Sequence, residues 1–134
     1  MSTLEAAEAR ERALVLLYEA ESRTANVADV VASEVVAPPA MAVDLALGVE
    51  AGTPRYDALI SSKARGWRLE RMPMIDRAVL RLALHELREF PDVPTAVVMN
   101  EAIELAKRFS TEDSGRFVNG ILSALLDSVR PNSK

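Results

Sequence analysis

A chain of 134 residues, 49% hydrophobic and 27% charged, is long enough for one folded domain with a sizeable core and too apolar for a disordered tail. It holds no cysteine, which excludes a disulfide scaffold and any thiolate metal site. No apolar run approaches the ~20 residues of a membrane span, and the N-terminus has no basic-then-apolar leader, so a cytoplasmic protein is expected.

The net charge of −4 speaks against a protein that coats nucleic acid indiscriminately, but the charge is unevenly spread. Residues 1–59 carry four basic and ten acidic side chains, whereas residues 60–134 carry twelve and ten. A polyanion would therefore be attracted mainly by the second half, since local potential counts for more than net charge.

Helix signals follow one another along the chain. Ser2 and Glu5 have the spacing of a capping box and open an amphipathic helix to about Ser22, with Leu14, Leu17 and Tyr18 as its apolar stripe and Ala7 in line. Asn26 caps a short helix over roughly 27–36, ended by Pro38 and Pro39, which start a third that stops near Gly48 or Gly52. Thr53-Pro54 supplies a cap and a first-turn proline for a fourth helix over 54–64. After the loop KARGWRLERMP, residues 63–73, the most apolar stretch predicts a central helix over 74–90, its narrow polar stripe formed by Arg77, Arg81 and Arg88 with His85 beside it. Asp92 and Pro94 begin a sixth helix, with Val98, Ala102, Leu105, Ala106 and Phe109 on one face. Thr111 caps a seventh, carrying Val118, Ile121, Leu122, Leu125 and Val129. Period-2 strand patterns are missing, so the fold expected is all-α, a compact bundle of about seven helices.

Signs of catalysis are poor. The one histidine, His85, has no second histidine one turn away, and a lone helical histidine is expected at the surface or its boundary. Ser110, Thr111 and Ser114 near Asp113 read better as helix capping than as a nucleophile site. There is no P-loop, and no strand to carry a dinucleotide fingerprint. No enzyme, cofactor or metal is expected.

Two segments suit nucleic acid. Lys63, Arg65, Arg68 and Arg71 surround the only tryptophan, Trp67, a mixture that can stack a base and hold phosphates; the plainer expectation is that Trp67 anchors the loop in the core while the cations stay solvated. Around the junction of the last two helices, Lys107, Arg108, Arg116, Phe117 and Asn119 combine charge, a ring and an amide beside a helix N-terminus. There too a structural account stands alongside, with Phe117 packed inward and Asn119 satisfying backbone.

Residues 66–125, GWRLERMPMIDRAVLRLALHELREFPDVPTAVVMNEAIELAKRFSTEDSGRFVNGILSAL, resemble the NusB family, most specifically in IDRAVLRLALHEL, DVPTAVVMNEAIELAKRF and EDSGRFVNGIL. ARERALVLLYEAE, residues 9–21, looks like the family's first helix, while residues 22–65 match only in helical character. The resemblance implies an all-α fold of two packed subdomains within a single NusB-like domain over 1–134. It implies a role in transcription antitermination, chiefly of ribosomal RNA operons. In that role the protein pairs with NusE, a small-subunit ribosomal protein, binds boxA RNA, and joins other Nus factors on RNA polymerase. Carried over by position, it assigns RNA contacts to Arg10, Arg116, Phe117 and Asn119, with Phe109 and Asp113 at the edge, and the NusE surface first to Asp76, then to Arg77 and Glu86; Lys107 joins the RNA candidates on residue type alone. The family includes both monomers and homodimers.

The first helix departs from the family's pattern. Where relatives carry a basic run, this chain reads LEAAEARER, with Glu5 and Glu8 ahead of Arg10 and Arg12. The carboxylates suit a helix N-terminus but remove cations that would hold phosphate. Two other functions remain open: a divergent paralogue that keeps the protein partner and has lost RNA, and the NusB-like accessory domain of a ribosomal RNA methyltransferase. The latter would require a longer chain.

Overall fold

A computed structural model describes residues 3–64 and 66–131. Among them are six α-helices: α1 (Thr3–Ser22), α2 (Val27–Ser33), α3 (Ala40–Lys63), α4 (Met74–Glu89), α5 (Thr95–Phe109) and α6 (Glu112–Val129), with one 3₁₀ turn over Leu69–Arg71. No strand occurs among the described residues. The chain divides into two compact units, residues 1–51 and 52–134, with α3 contributing to both.

In the first unit α1 packs on α2. The buried face of α1 is Ala9, Arg10, Ala13, Leu14, Leu16 and Ala20; Tyr18, expected in that stripe, is exposed and Leu16 takes its place. The proposed Ser2 cap lies outside the described residues. Asn26 caps α2 as expected, its side chain accepting the Asp29 N–H at 2.8 Å. A second free amide of that helix start, Val27 N–H, donates to Glu50 Oε2 on α3 at 2.9 Å.

The expected break between a third and a fourth helix is absent, which leaves six helices instead of seven. α3 runs unbroken from Ala40 to Lys63 with Pro54 inside it. Proline removes one helical hydrogen bond and crowds the preceding turn, but length and packing on both sides can carry a helix through that loss. Gly52 has a packing role rather than a terminating one. A Cβ there would lie 2.5 Å from the Tyr56 ring, so only glycine lets that ring fold back along the helix.

The second unit is built on α4, α5 and α6, which pack against one another. α4 buries Val79, Leu80, Leu82, Leu84 and Leu87, as its nearly all-round apolar pattern requires. Its polar stripe is occupied. Arg81 forms a bidentate pair with Asp57 of α3, at 2.7 and 3.0 Å, and Arg77 Nη1 donates to the Leu69 carbonyl at 3.3 Å.

His85 is not at the surface. It is buried, with Nδ1 2.8 Å from the Tyr56 hydroxyl and its ring edge-on to Phe90. Burial lowers its pKa below 6.5, partly opposed by the Glu89 carboxylate. Burial likewise raises the Tyr56 pKa above 10.0, with Glu89 adding to the rise and Arg55 opposing it.

At the far end of α6, Arg130 closes the α4–α5 connection. Its guanidinium donates to the carbonyls of Leu87, Phe90 and Val93 and to Thr95 Oγ1, at 2.7–2.9 Å. Carbonyls of the last turn of a helix have no partner within it, and one cation here satisfies several.

Candidate nucleic-acid interface

The junction of α5 and α6 is held by a short polar chain. Thr111 Oγ1 accepts the Ser114 N–H at 3.1 Å while Ser114 Oγ accepts the Thr111 N–H at 3.2 Å, a reciprocal capping box. Ser114 then reaches across to α4, where its hydroxyl donates to Asp76 Oδ2 at 3.0 Å. The capping role expected there is what the structure shows for Thr111 and Ser114, with a tertiary link added, while Ser110 Oγ sits 3.0 Å from Ser114 Oγ without capping the helix. Because Thr111 caps this end and Glu112 and Asp113 fill its first turn, the helix terminus itself is a poor anion site.

Two depressions flank the first turns of α6. The first, about 390 Å³, is lined by Ile103, Lys107, Glu112, Gly115, Arg116 and Asn119. Gly115 sets its depth, for a Cβ there would stand 2.8 Å from Lys107 Cγ and push the lysine stem off the helix. Lys107 lies 3.9 Å from Glu104, and Arg116 pairs with Asp113 at 2.6 Å with both side chains more than four-fifths exposed. Such solvated pairs are weak and exchange readily for a phosphate. Asn119 is exposed beside them.

The second depression, about 280 Å³, is lined by Trp67, Met72, Pro73, Asp76, Thr111, Asp113, Ser114 and Phe117. Trp67 does not anchor the loop in the core. It is 55% exposed, and its ring meets that of Phe117 at a centroid distance of 5.9 Å and a 53° tilt. Phe109, expected on the inward face of α5, is likewise exposed, with the Arg108 guanidinium 4.9 Å above its ring.

Lys107, Asp113, Arg116, Phe117 and Asn119 thus come together around one helix start, with Phe109 at the end of α5. Arg10 belongs to the other unit and is only 3% exposed. Asp76 and Glu86, expected at a partner surface, are also 3% exposed, and Arg77 is half-buried. Sequence patterns missed the pairing of Trp67 with Phe117, fifty positions apart, and the use of Met72 and Pro73 as walls. The only available signal was that both rings stand among cations.

The family model for NusB matches residues 7–127. The chain belongs to the NusB family. It is 46% identical over 123 residues to the transcription antitermination protein NusB of Saccharopolyspora erythraea, covering 87% of this chain and 83% of that one. Its fold matches a solved NusB from T. maritima with a TM-score of 0.81 at 33% identity, over 90% of this chain and 89% of the other. It also matches, with a TM-score of 0.79 at 24% identity over 95% and 99%, a chain in a crystal structure of antitermination factors NusB and NusE with double-stranded RNA; that likeness speaks for the fold. No helix among the described residues is long and apolar enough to cross a membrane.

Proposed function

We propose that this NusB-family protein is a cytoplasmic transcription antitermination factor that acts without catalysis. With NusE it binds boxA-type RNA in nascent ribosomal RNA transcripts and helps assemble other Nus factors on RNA polymerase. The observation that carries the RNA surface is the depression lined by Lys107, Arg116 and Asn119 next to the partly exposed Phe117 ring, all in the segment most like the family's. Cations on weak exposed pairs can take phosphates, and a ring and an amide beside them suit single-stranded bases. For NusE we propose the outer side of α4, where Arg77 is the accessible residue; Asp76, assigned there by position, lies instead in the groove beside the start of α6. Glu86 would act on that face from beneath the surface.

A second function, a paralogue without RNA binding, is favoured by α1, where Glu5 and Glu8 are exposed and Arg10 is not. Equilibrium binding of labelled boxA RNA, with and without NusE, separates the two. The antitermination factor binds weakly alone, with a shallow salt dependence, and tightly with NusE. Absence of binding even with NusE selects the paralogue.

A further inference from the structure

Asp76 is an unusual group to find at the bottom of an aromatic groove. Its residue is 3% exposed, and its Oδ2 takes the Ser114 hydroxyl. The Ser114 hydroxyl lies 3.0 Å from both Asp76 Oδ2 and Ser110 Oγ; of the two the carboxylate is the stronger acceptor for its one proton, and a serine lone pair takes the Thr111 amide. The other carboxylate oxygen, Oδ1, is buried and has no hydrogen-bond partner among the described residues. A buried acceptor left unmade costs free energy that a ligand's N–H would recover.

The walls around this oxygen limit what the ligand is. Trp67 and Phe117 offer two tilted rings and Pro73 a third flat face. The volume of about 280 Å³ falls just below the ~300–1,000 Å³ usual for small-molecule sites, which suits one planar ring better than a whole cofactor. Arg116 lines one depression and Phe117, the next residue, lines the other. A nucleotide can therefore leave its phosphate with Lys107 and Arg116 and turn its base across the start of α6.

We propose that the Trp67–Phe117 groove is a base-reading slot for one splayed-out nucleobase bearing an exocyclic amino group, which donates to Asp76 Oδ1. Guanine, cytosine and adenine all carry such a donor. Uracil does not: its one N–H is flanked by two carbonyl oxygens that would crowd the carboxylate. The slot thus adds base selectivity to the RNA binding proposed above, on which it rests.

Trp67 is the only tryptophan, so its fluorescence reports the slot directly. The probes are uridine hexanucleotides with a central guanosine, cytidine or adenosine, compared with the all-uridine hexamer, titrated into the full chain with and without NusE. Hexamers with an amino-bearing base are expected to quench Trp67 and to bind roughly tenfold tighter or more, as one hydrogen bond to a charged group provides. Asp76→Asn, whose amide can face either kind of edge, is expected to bring all hexamers to within about twofold of one another while RNA still binds. Should that variant fail to fold, Trp67→Ala, at an exposed side chain, serves instead; read by hexamer anisotropy, it should lose roughly tenfold for the amino-bearing hexamers and less for all-uridine. Hexamers that bind without quenching Trp67, or a preference unchanged by Asp76→Asn, overturn the slot and leave RNA binding standing. If Asp76→Asn instead abolishes NusE capture without moving the base preference, the groove receives a cationic side chain of the protein partner and the proposal is wrong. If no RNA binds with NusE present, RNA binding itself falls first.

Discussion

The two ends of α4 are built from similar materials for opposite purposes. At its C-terminal end a network of hydrogen bonds ties the elements together: Arg130 donates to three carbonyls and a hydroxyl, and His85 shares a hydrogen bond with Tyr56 beside the Phe90 ring. At its N-terminal end Asp76 has one oxygen satisfied and one open, beneath two rings that stay partly in solvent. Satisfied buried networks fix a fold, whereas an open acceptor beside exposed aromatic surface is stabilised further only by something that arrives. Substitutions at the first end should therefore alter stability and spare RNA binding. Those at the second should do the reverse.

The largest effect is expected in the middle of the helix. Leu82→Ala removes a fully packed side chain and should cost about 2–5 kcal/mol in denaturant unfolding, with RNA affinity per folded molecule unchanged. A loss under about 1 kcal/mol would mean the core lies elsewhere. Next comes Arg130→Ala, which strips charged donors from the α4–α5 connection. Hydrogen bonds to a charged group contribute about 1.5–3 kcal/mol, and a loss in that range is expected, read as a lower unfolding midpoint. If Arg130→Ala instead weakens RNA binding at unchanged stability, the division of labour along α4 is wrong.

A smaller effect comes from His85. Its folded pKa is depressed, so between that value and 6.5 the unfolded chain binds the proton more readily than the folded one. Stability is accordingly full above pH 6.5 and declines as the pH falls through the lowered folded value. His85→Gln should flatten that part of the pH–stability profile, and an unchanged profile would place the acid sensitivity on other groups. Tyr56, raised above 10.0, works at the opposite extreme: stability is lost as the pH rises past 10.0.

The same contrast separates what could be read in the sequence from what could not. α4, α5 and α6 were legible to within a residue or so, because strong 3.6-residue periodicity, Pro94 as a boundary and Thr111 as a cap all agree. Where local and tertiary preferences disagree, the sequence misleads. Thr53-Pro54 has a helix-start signature, yet α3 passes through it, with Gly52 beneath the Tyr56 ring and the Tyr56 hydroxyl on His85. His85 and Tyr18 exchange their expected environments for the same reason: burial depends on neighbours that periodicity does not name. Of the site, the residue types were legible in EDSGRFVNG, and so was the role of Thr111. The juxtaposition of Trp67, Phe117 and Asp76 was not, because those residues come from three separate segments.

RNA binding by this chain is expected to depend on the cations beside the start of α6. The direct measurement is the salt dependence of boxA RNA affinity, with NusE present, for the native chain and for Lys107→Ala and Arg116→Ala. Each lost phosphate contact on a single strand should reduce the slope of log K against log salt by about 0.7 and weaken binding, with thermal stability unchanged. Native affinity and native slope in both variants would contradict it.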